Sequence, residues 1–187
     1  MKVIKAELEG LLIIEPVVFE DERGYFFESF NEKKHIETGL SYKFVQDNQS
    51  KSSYGVIRGL HYQIEPFAQT KLVRVLQGRI LDIAVDIREG SPTFGKWVKI
   101  ELTEKNKKQL LIPKGFAHGF AVISETAVIL YKCDDFYNPQ ADRGIIYNDK
   151  VLNIDWELHP DVILVSEKDK SLPALRDAEM NFKYITE

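Results

Sequence analysis

Apolar and polar positions recur with a period of two along much of the chain. From Ile80 to Ile87, one face carries Leu81, Ile83, Val85 and Ile87, and the other carries Ile80, Asp82, Ala84 and Asp86. From Leu60 to Gln63, His61 and Gln63 share a face opposite Leu60 and Tyr62. The aromatic run Tyr25 to Phe30 reads as a strand with apolar surface on both faces. Lys71 to Ile87 reads as a long apolar stretch broken at Gln77-Gly78, and Lys96–Leu102, Gln109–Ile112 and Ala121–Lys132 read as further strands. Turn signals separate them at Glu89-Gly90-Ser91-Pro92, Glu104-Lys105-Asn106-Lys107 and Pro113-Lys114-Gly115. One short helix is predicted, Glu32 to Thr38, capped by Asn31 and stopped by Gly39. Many short strands at near-regular spacing predict a mainly β sandwich or closed barrel with few short helices. From Ile154 onward the pattern is mixed and fits either a helix or a docked irregular segment.

Asp82 and Asp86 admit two readings. An exposed edge strand would leave both carboxylates in water, whereas a barrel with a polar interior would turn them inward. The pattern alone does not choose.

Composition narrows the class. The 187 residues are 44% hydrophobic and 29% charged, with no repeat, low-complexity run or linker, so one domain spanning 1–187 is expected. A chain of this size buries about 70% of its unfolded surface, enough for a core without metal staples. A net charge of −4 argues against nucleic acid or an anionic membrane as the main partner. Cys133 is the only cysteine and so cannot form an internal disulfide, which fits a reducing cytoplasm. The longest stretch free of charge, Gly115 to Ser124, falls well short of the ~20 apolar residues of a membrane span, and the charged start (Met1-Lys2-Val3-Ile4-Lys5) lacks a signal core.

Two segments concentrate candidate chemistry. The first is Gly55-Val56-Ile57-Arg58-Gly59-Leu60-His61-Tyr62-Gln63, continuing through Lys71 to Gly78; the second is Pro113-Lys114-Gly115-Phe116-Ala117-His118-Gly119-Phe120. Together they resemble the paired motifs of the cupin superfamily, which implies a double-stranded β-helix, or jelly-roll barrel. Metal-binding cupins have His-x-His and a glutamate in the first motif. Here Gln63 stands for the second histidine and Lys71 for the glutamate. An ammonium has no lone pair to offer a cation and repels it, so no metal is expected. A lysine at that place suits a developing oxyanion instead.

Further stretches tighten the resemblance. They include Phe19-Glu20-Asp21-Glu22-Arg23-Gly24, Phe44-Val45-Gln46-Asp47-Asn48, Ser91-Pro92-Thr93-Phe94-Gly95, Tyr137-Asn138-Pro139 and Ser166-Glu167-Lys168-Asp169. In this order they resemble the dTDP-4-dehydrorhamnose 3,5-epimerase family over roughly residues 1–176, leaving a peripheral tail at 177–187. The resemblance implies inversion of two stereocentres flanking a ketone, in the pathway to dTDP-L-rhamnose, without any cofactor. His61 matches the family's base, Asp169 its carboxylate partner, Lys71 the lysine near the keto oxygen and Tyr131 the proton donor. Arg23 and Arg58 match diphosphate contacts. Phe19, Glu28, Gln46 and Asn48 match the nucleotide-binding set, Tyr137 an aromatic near thymine, and Gln63 and His118 line the same pocket in the resemblance. It also implies a homodimer that exchanges N-terminal strands, so that Arg23 and Glu28 complete a neighbour's site. Two other readings remain at this level: a nucleotide-sugar epimerase acting at one centre only, and a non-catalytic nucleotide-sugar-binding cupin.

Overall fold

The computed structural model describes residues 1–185. In chain order its elements are β1 (Lys2–Lys5), β2 (Leu12–Glu15), β3 (Phe19–Asp21), β4 (Gly24–Phe26), α1 (Glu32–Glu37), β5 (Gln46–Ser53), β6 (Ile57–Gln63), β7 (Lys71–Gln77), β8 (Arg79–Asp86), β9 (Trp97–Thr103), β10 (Gln109–Ile112), β11 (Phe116–Val122), β12 (Thr126–Cys133), β13 (Asp142–Gly144) and α2 (Glu167–Lys170). Two antiparallel sheets face each other, in the orders β1-β2-β10-β7-β12-β5 and β13-β6-β11-β8-β9, with a separate β3-β4 hairpin. This is the mainly β architecture expected from the strand pattern, in the jelly-roll-like form that the resemblance implies.

Three apolar layers hold it together. Between the sheets, Val73, Val75, Ile80, Ala84, Leu110, Ile112, Phe120 and Ile129 form the inner core. The outer face of the five-stranded sheet (Leu60, Leu81, Ile83, Val85, Ala117) lies under the C-terminal segment, which contributes Trp156, Leu175 and Phe182. The outer face of the six-stranded sheet packs Ile14, Leu72 and Leu111 against Leu40, Phe30 and Phe44. Each fully buried Leu or Ile contributes about 1.5–3 kcal/mol.

β8 settles the question left by its pattern. It lies between β11 and β9, so it is not an edge, and both carboxylates turn inward with 0% exposure. Asp86 accepts hydrogen bonds from Arg88, Ser91 and Thr93; its burial opposes ionisation, but these donors hold its carboxyl below the usual range.

Several elements differ from the sequence reading. Tyr25–Phe30 is not one strand: pairing ends at Phe26, and Phe30 turns in to pack against His35 and Phe44 at the start of α1. The helix itself runs Glu32–Glu37, with the Asn31 side chain accepting from the Lys34 N–H. Ala121–Lys132 is two strands, because Ser124 caps a turn by accepting from the Arg79 N–H and donating to Thr126 O. Residues 178–185 are irregular and docked: Phe182 is buried, Glu89 N–H donates to Phe182 O, and Tyr184 N–H donates to Glu89 O. Among the described residues no helix is long and apolar enough to cross a membrane.

Candidate active site

The two sheets part at one end to leave a cavity of about 350 Å³, walled by Gln46 and Asn48 from β5, His61 and Gln63 from β6, Lys71 from β7 and Tyr131 from β12. The walls come from opposite sheets. His61 stands on the five-stranded sheet and faces Tyr131 and Lys71 on the six-stranded one.

A β-bulge sets up the His61 wall. Between His118↔His61 and Phe120↔Arg58, β6 has an extra residue relative to β11. That residue is Gly59, with φ +124°; a Cβ there would sit 2.5 Å from Gly119 Cα. The extra residue lets both Arg58 and His61 leave the outer apolar face, which keeps Ile57 and Leu60. It also aims the Gly59 N–H at Asp169 Oδ2, 3.2 Å away.

His61 and Asp169, 108 residues apart, meet through Nε2 and Oδ1 at 2.8 Å. Asp169 is brought there by α2, whose N-cap Ser166 accepts from the Asp169 N–H. Burial opposes ionisation of Asp169, but the His61 hydrogen bond and charge, with the Gly59 N–H, hold its carboxyl below the usual range. An ionised carboxylate makes Nε2 the protonated nitrogen and leaves Nδ1 with a lone pair that has no hydrogen-bond partner among the described residues. The His61 side chain keeps 31% exposure against 5% for Asp169, so the carboxylate is sealed behind a reachable imidazole.

Opposite, burial raises the Tyr131 hydroxyl pKa, with the charges of Cys133 and Asp142 adding to the shift and Arg58 opposing it. The phenol is therefore protonated at neutral pH and able to donate. Lys71 Nζ lies 6.0 Å from the Tyr131 ring centroid. Burial pushes the Lys71 ammonium down, while Cys133, Asp142 and Asp82 push it back up.

Gln63 has a different job from a ligand. Its Nε2 donates to Phe67 O at 2.6 Å and Phe136 O at 3.3 Å, and its Oε1 accepts from Asn138 N–H at 2.6 Å, so it clamps two loops at the cavity's edge. Tyr137, half exposed at the rim, donates to Asp142 Oδ2, which also pairs with Lys168 at 2.5 Å. Arg58 donates through Nε to Ser52 Oγ at 3.0 Å and lines the adjoining cleft with Asp169. Among the described residues, no group of three His, Cys, Asp or Glu side chains is arranged to hold a metal ion.

Four expected positions lie elsewhere. His118 is not on the cavity wall but buried behind it, its Nε2 2.9 Å from Asp82 Oδ1. Phe19, Arg23 and Glu28 belong to the hairpin and the segment after it, away from His61. Arg23 is exposed and paired with Asp21, and Glu28 with Lys34. Conversely, Gln69, Asp142 and Lys168 line the cavity without having been singled out. Gln69 lies on a loop, Asp142 opens the three-residue β13 and Lys168 sits in the charged α2, and none of these compositions gives a sign of facing inward.

The family model for dTDP-4-dehydrorhamnose 3,5-epimerase matches residues 5–177. The chain belongs to that family. The dTDP-4-dehydrorhamnose 3,5-epimerase of Shigella flexneri is 53% identical over 180 residues, covering 96% of this chain and 98% of its own length. Among solved structures, the dTDP-4-dehydrorhamnose 3,5-epimerase of Elizabethkingia anophelis is 56% identical with a TM-score of 0.89, over 95% of this chain and 97% of that one. The dTDP-6-deoxy-D-glucose-3,5-epimerase of Legionella pneumophila, solved in complex with dTDP-4-keto-L-rhamnose, is 49% identical with a TM-score of 0.90, over 94% of this chain and 93% of that one. Membership of the epimerase family gives the His61–Tyr131 cavity a reaction to be tested against.

Proposed function

We propose that this chain is a dTDP-4-dehydrorhamnose 3,5-epimerase, inverting C3 and C5 of dTDP-4-dehydro-6-deoxy-D-glucose to give dTDP-4-dehydro-L-rhamnose in dTDP-L-rhamnose biosynthesis. The observation that carries the reading is a base and an acid on opposite walls of one cavity, with a cation beside the acid. A proton next to a ketone leaves only if the resulting enolate is stabilised.

In this reading His61 Nδ1 takes the proton, and the C–H electron pair becomes the C=C bond of an enolate whose negative charge rests on O4. Lys71 stabilises that oxygen. Tyr131 then delivers its phenolic proton to the opposite face of the carbanionic carbon, restoring the ketone with inverted configuration. Imidazolium and tyrosinate exchange with solvent, and the cycle repeats at the second carbon. Asp169 stabilises the imidazolium as it forms. No hydride moves, so the steps require no cofactor, and Lys71 occupies the place where a metal would be bound. Gln46, Asn48, Tyr137 and Arg58 bind the nucleotide and its diphosphate.

Incubation with dTDP-4-dehydro-6-deoxyglucose in D₂O, followed by NMR, tests the reading: deuterium and inversion at both C3 and C5 are expected. Label at one carbon alone would make it a single-centre epimerase, and binding without label a sensor.

We further infer a homodimer in which the β3-β4 region completes the neighbour's nucleotide site. Phe19, Tyr25 and Phe26 are 63%, 56% and 66% exposed in one chain, more apolar surface than a free hairpin retains. A two-fold contact would cover it and bring Phe19, Arg23 and Glu28 to the partner's cavity. Mixing inactive Arg23→Ala and His61→Asn variants tests this, since a mixed dimer has one site free of both lesions. Recovered activity is expected; none after confirmed subunit exchange would return Arg23 to its own chain.

A further inference from the structure

Behind the cavity lies a second imidazole–carboxylate pair that the reaction as written does not use. His118 on β11 is the register partner of His61 on β6, and Asp82 follows on β8, so all three stand on the inner face of the five-stranded sheet. His118 Nε2 and Asp82 Oδ1 are 2.9 Å apart, with side-chain exposures of 8% and 0%. Asp82 Oδ2 is buried and has no hydrogen-bond partner among the described residues.

A carboxylate with a bare oxygen in a dry interior is costly unless positive charge lies near it. The cation across the interior is Lys71, on β7 of the facing sheet. The groups acting on its charge are, from largest to smallest, Cys133 from β12, Asp142 from β13 and Asp82 from β8, with the Tyr131 ring beside it and His61 and His118 on the wall behind. Among the described residues, none forms an ion pair with Lys71 within 4.0 Å. Its ammonium is therefore left free to point at a substrate oxygen, while burial works against its charge.

We propose that Asp82, oriented by His118, is a positioning residue that keeps Lys71 charged and directed at the keto oxygen. The inference rests on the reading of Lys71 as the enolate's partner. It explains why a carboxylate is sealed under the site instead of being paired off: a direct salt bridge would hold the ammonium down, whereas a charge one step away sustains it and leaves it reachable.

The kcat–pH profile of Asp82→Asn, with far-ultraviolet circular dichroism as a control for folding, reads this directly. The alkaline limb should move down by about one pH unit, a ~10-fold fall in kcat on that limb, with KM little changed. Asp82→Glu should restore part of the shift. In a Lys71→Met background, Asp82→Asn should cost nothing further. A folded Asp82→Asn with an unmoved limb, or an equal loss in the Lys71→Met background, overturns the proposal while leaving Lys71 its role. Lys71→Met turning over at the normal rate would instead remove the reading on which it rests. If Asp82→Asn does not fold, lysine-selective ¹³C NMR of the intact protein decides. A Lys71 side chain protonated at the pH of maximal kcat is expected, and a neutral one there overturns the proposal.

Discussion

Two histidines on the inner face of one sheet each meet an aspartate at nearly the same distance, 2.8 Å for His61 with Asp169 from α2 and 2.9 Å for His118 with Asp82 from β8. Their surroundings differ. The first opens on the cavity through a 31% exposed imidazole, and its carboxylate is satisfied by a backbone N–H as well as by the ring. The second is sealed between sheets, with one carboxylate oxygen bare. A hydrogen-bonded imidazole becomes a base only where its other nitrogen can reach a substrate. The Gly59 bulge gives His61 that reach, and regular pairing of β11 with β8 denies it to His118.

The largest expected effect falls on the open pair. His61→Asn removes the lone pair but keeps an amide for Asp169, so kcat should fall by about 10²–10⁴ and deuterium exchange should vanish at both carbons. Nucleotide binding should be nearly unchanged, as read by calorimetry with dTDP. Exchange surviving at either carbon would mean that a second base serves it, and the difference between the pairs would lose its meaning.

Tyr131→Phe breaks the reaction on the facing wall. Abstraction by His61 does not need the phenol, whereas delivery to the opposite face does. The expected outcome is inversion slowed by ~10²-fold or more while exchange with D₂O persists. Normal inversion by the phenylalanine variant would assign the proton to water.

The strand architecture and the His61–Lys71–Tyr131–Asp169 set were legible in sequence for different reasons. Period-two alternation reports which faces are covered, and β8 shows its limit, because an inward carboxylate and an exposed one leave the same pattern. β5, Gln46-Asp47-Asn48-Gln49-Ser50-Lys51-Ser52-Ser53, has no apolar residue and, among the described residues, pairs only with β12, so hydrophobicity could not reveal it. The proposed catalytic set was read only through resemblance, since no spacing rule brings residue 169 to residue 61. Asp142, which opens the short β13, and Lys168, on α2, were missed because a charge in such short polar elements ordinarily means solvent. Phe19, Arg23 and Glu28 were found by resemblance but lie apart from the cavity, as they would if they served a neighbour's site.

Acid stability separates the open pair from a generic ion pair with a smaller effect. The Asp169 carboxyl is held below its usual range, so the stability it contributes is fully present above the unfolded value near 3.8. It is lost as pH falls through the lower folded value. Hydrogen bonds to a charged group are worth about 1.5–3 kcal/mol, which sets the upper size of this term. Denaturant midpoints measured between about pH 5 and pH 3 should fall more steeply for the native chain than for Asp169→Asn. Parallel slopes would show that the His61–Asp169 contact adds nothing to the fold.

The smallest expected effect lies at the edge of the open pair. Arg58 reaches the cleft beside His61 only because of the Gly59 bulge, and its guanidinium is steadied by one bond to Ser52 Oγ at 3.0 Å. Ser52→Ala deletes that bond while leaving the charge, at a cost of about 0.5–1.5 kcal/mol in placing the side chain. A diphosphate is held equally in ground and transition states, so losing part of that hold raises KM without touching the chemical step. The expectation is a rise in KM of about 2- to 10-fold with kcat unchanged, measured by steady-state kinetics. A fall in kcat at constant KM would move Arg58 from the diphosphate to the reacting ring, and would place two groups of the bulged strand in the chemistry instead of one.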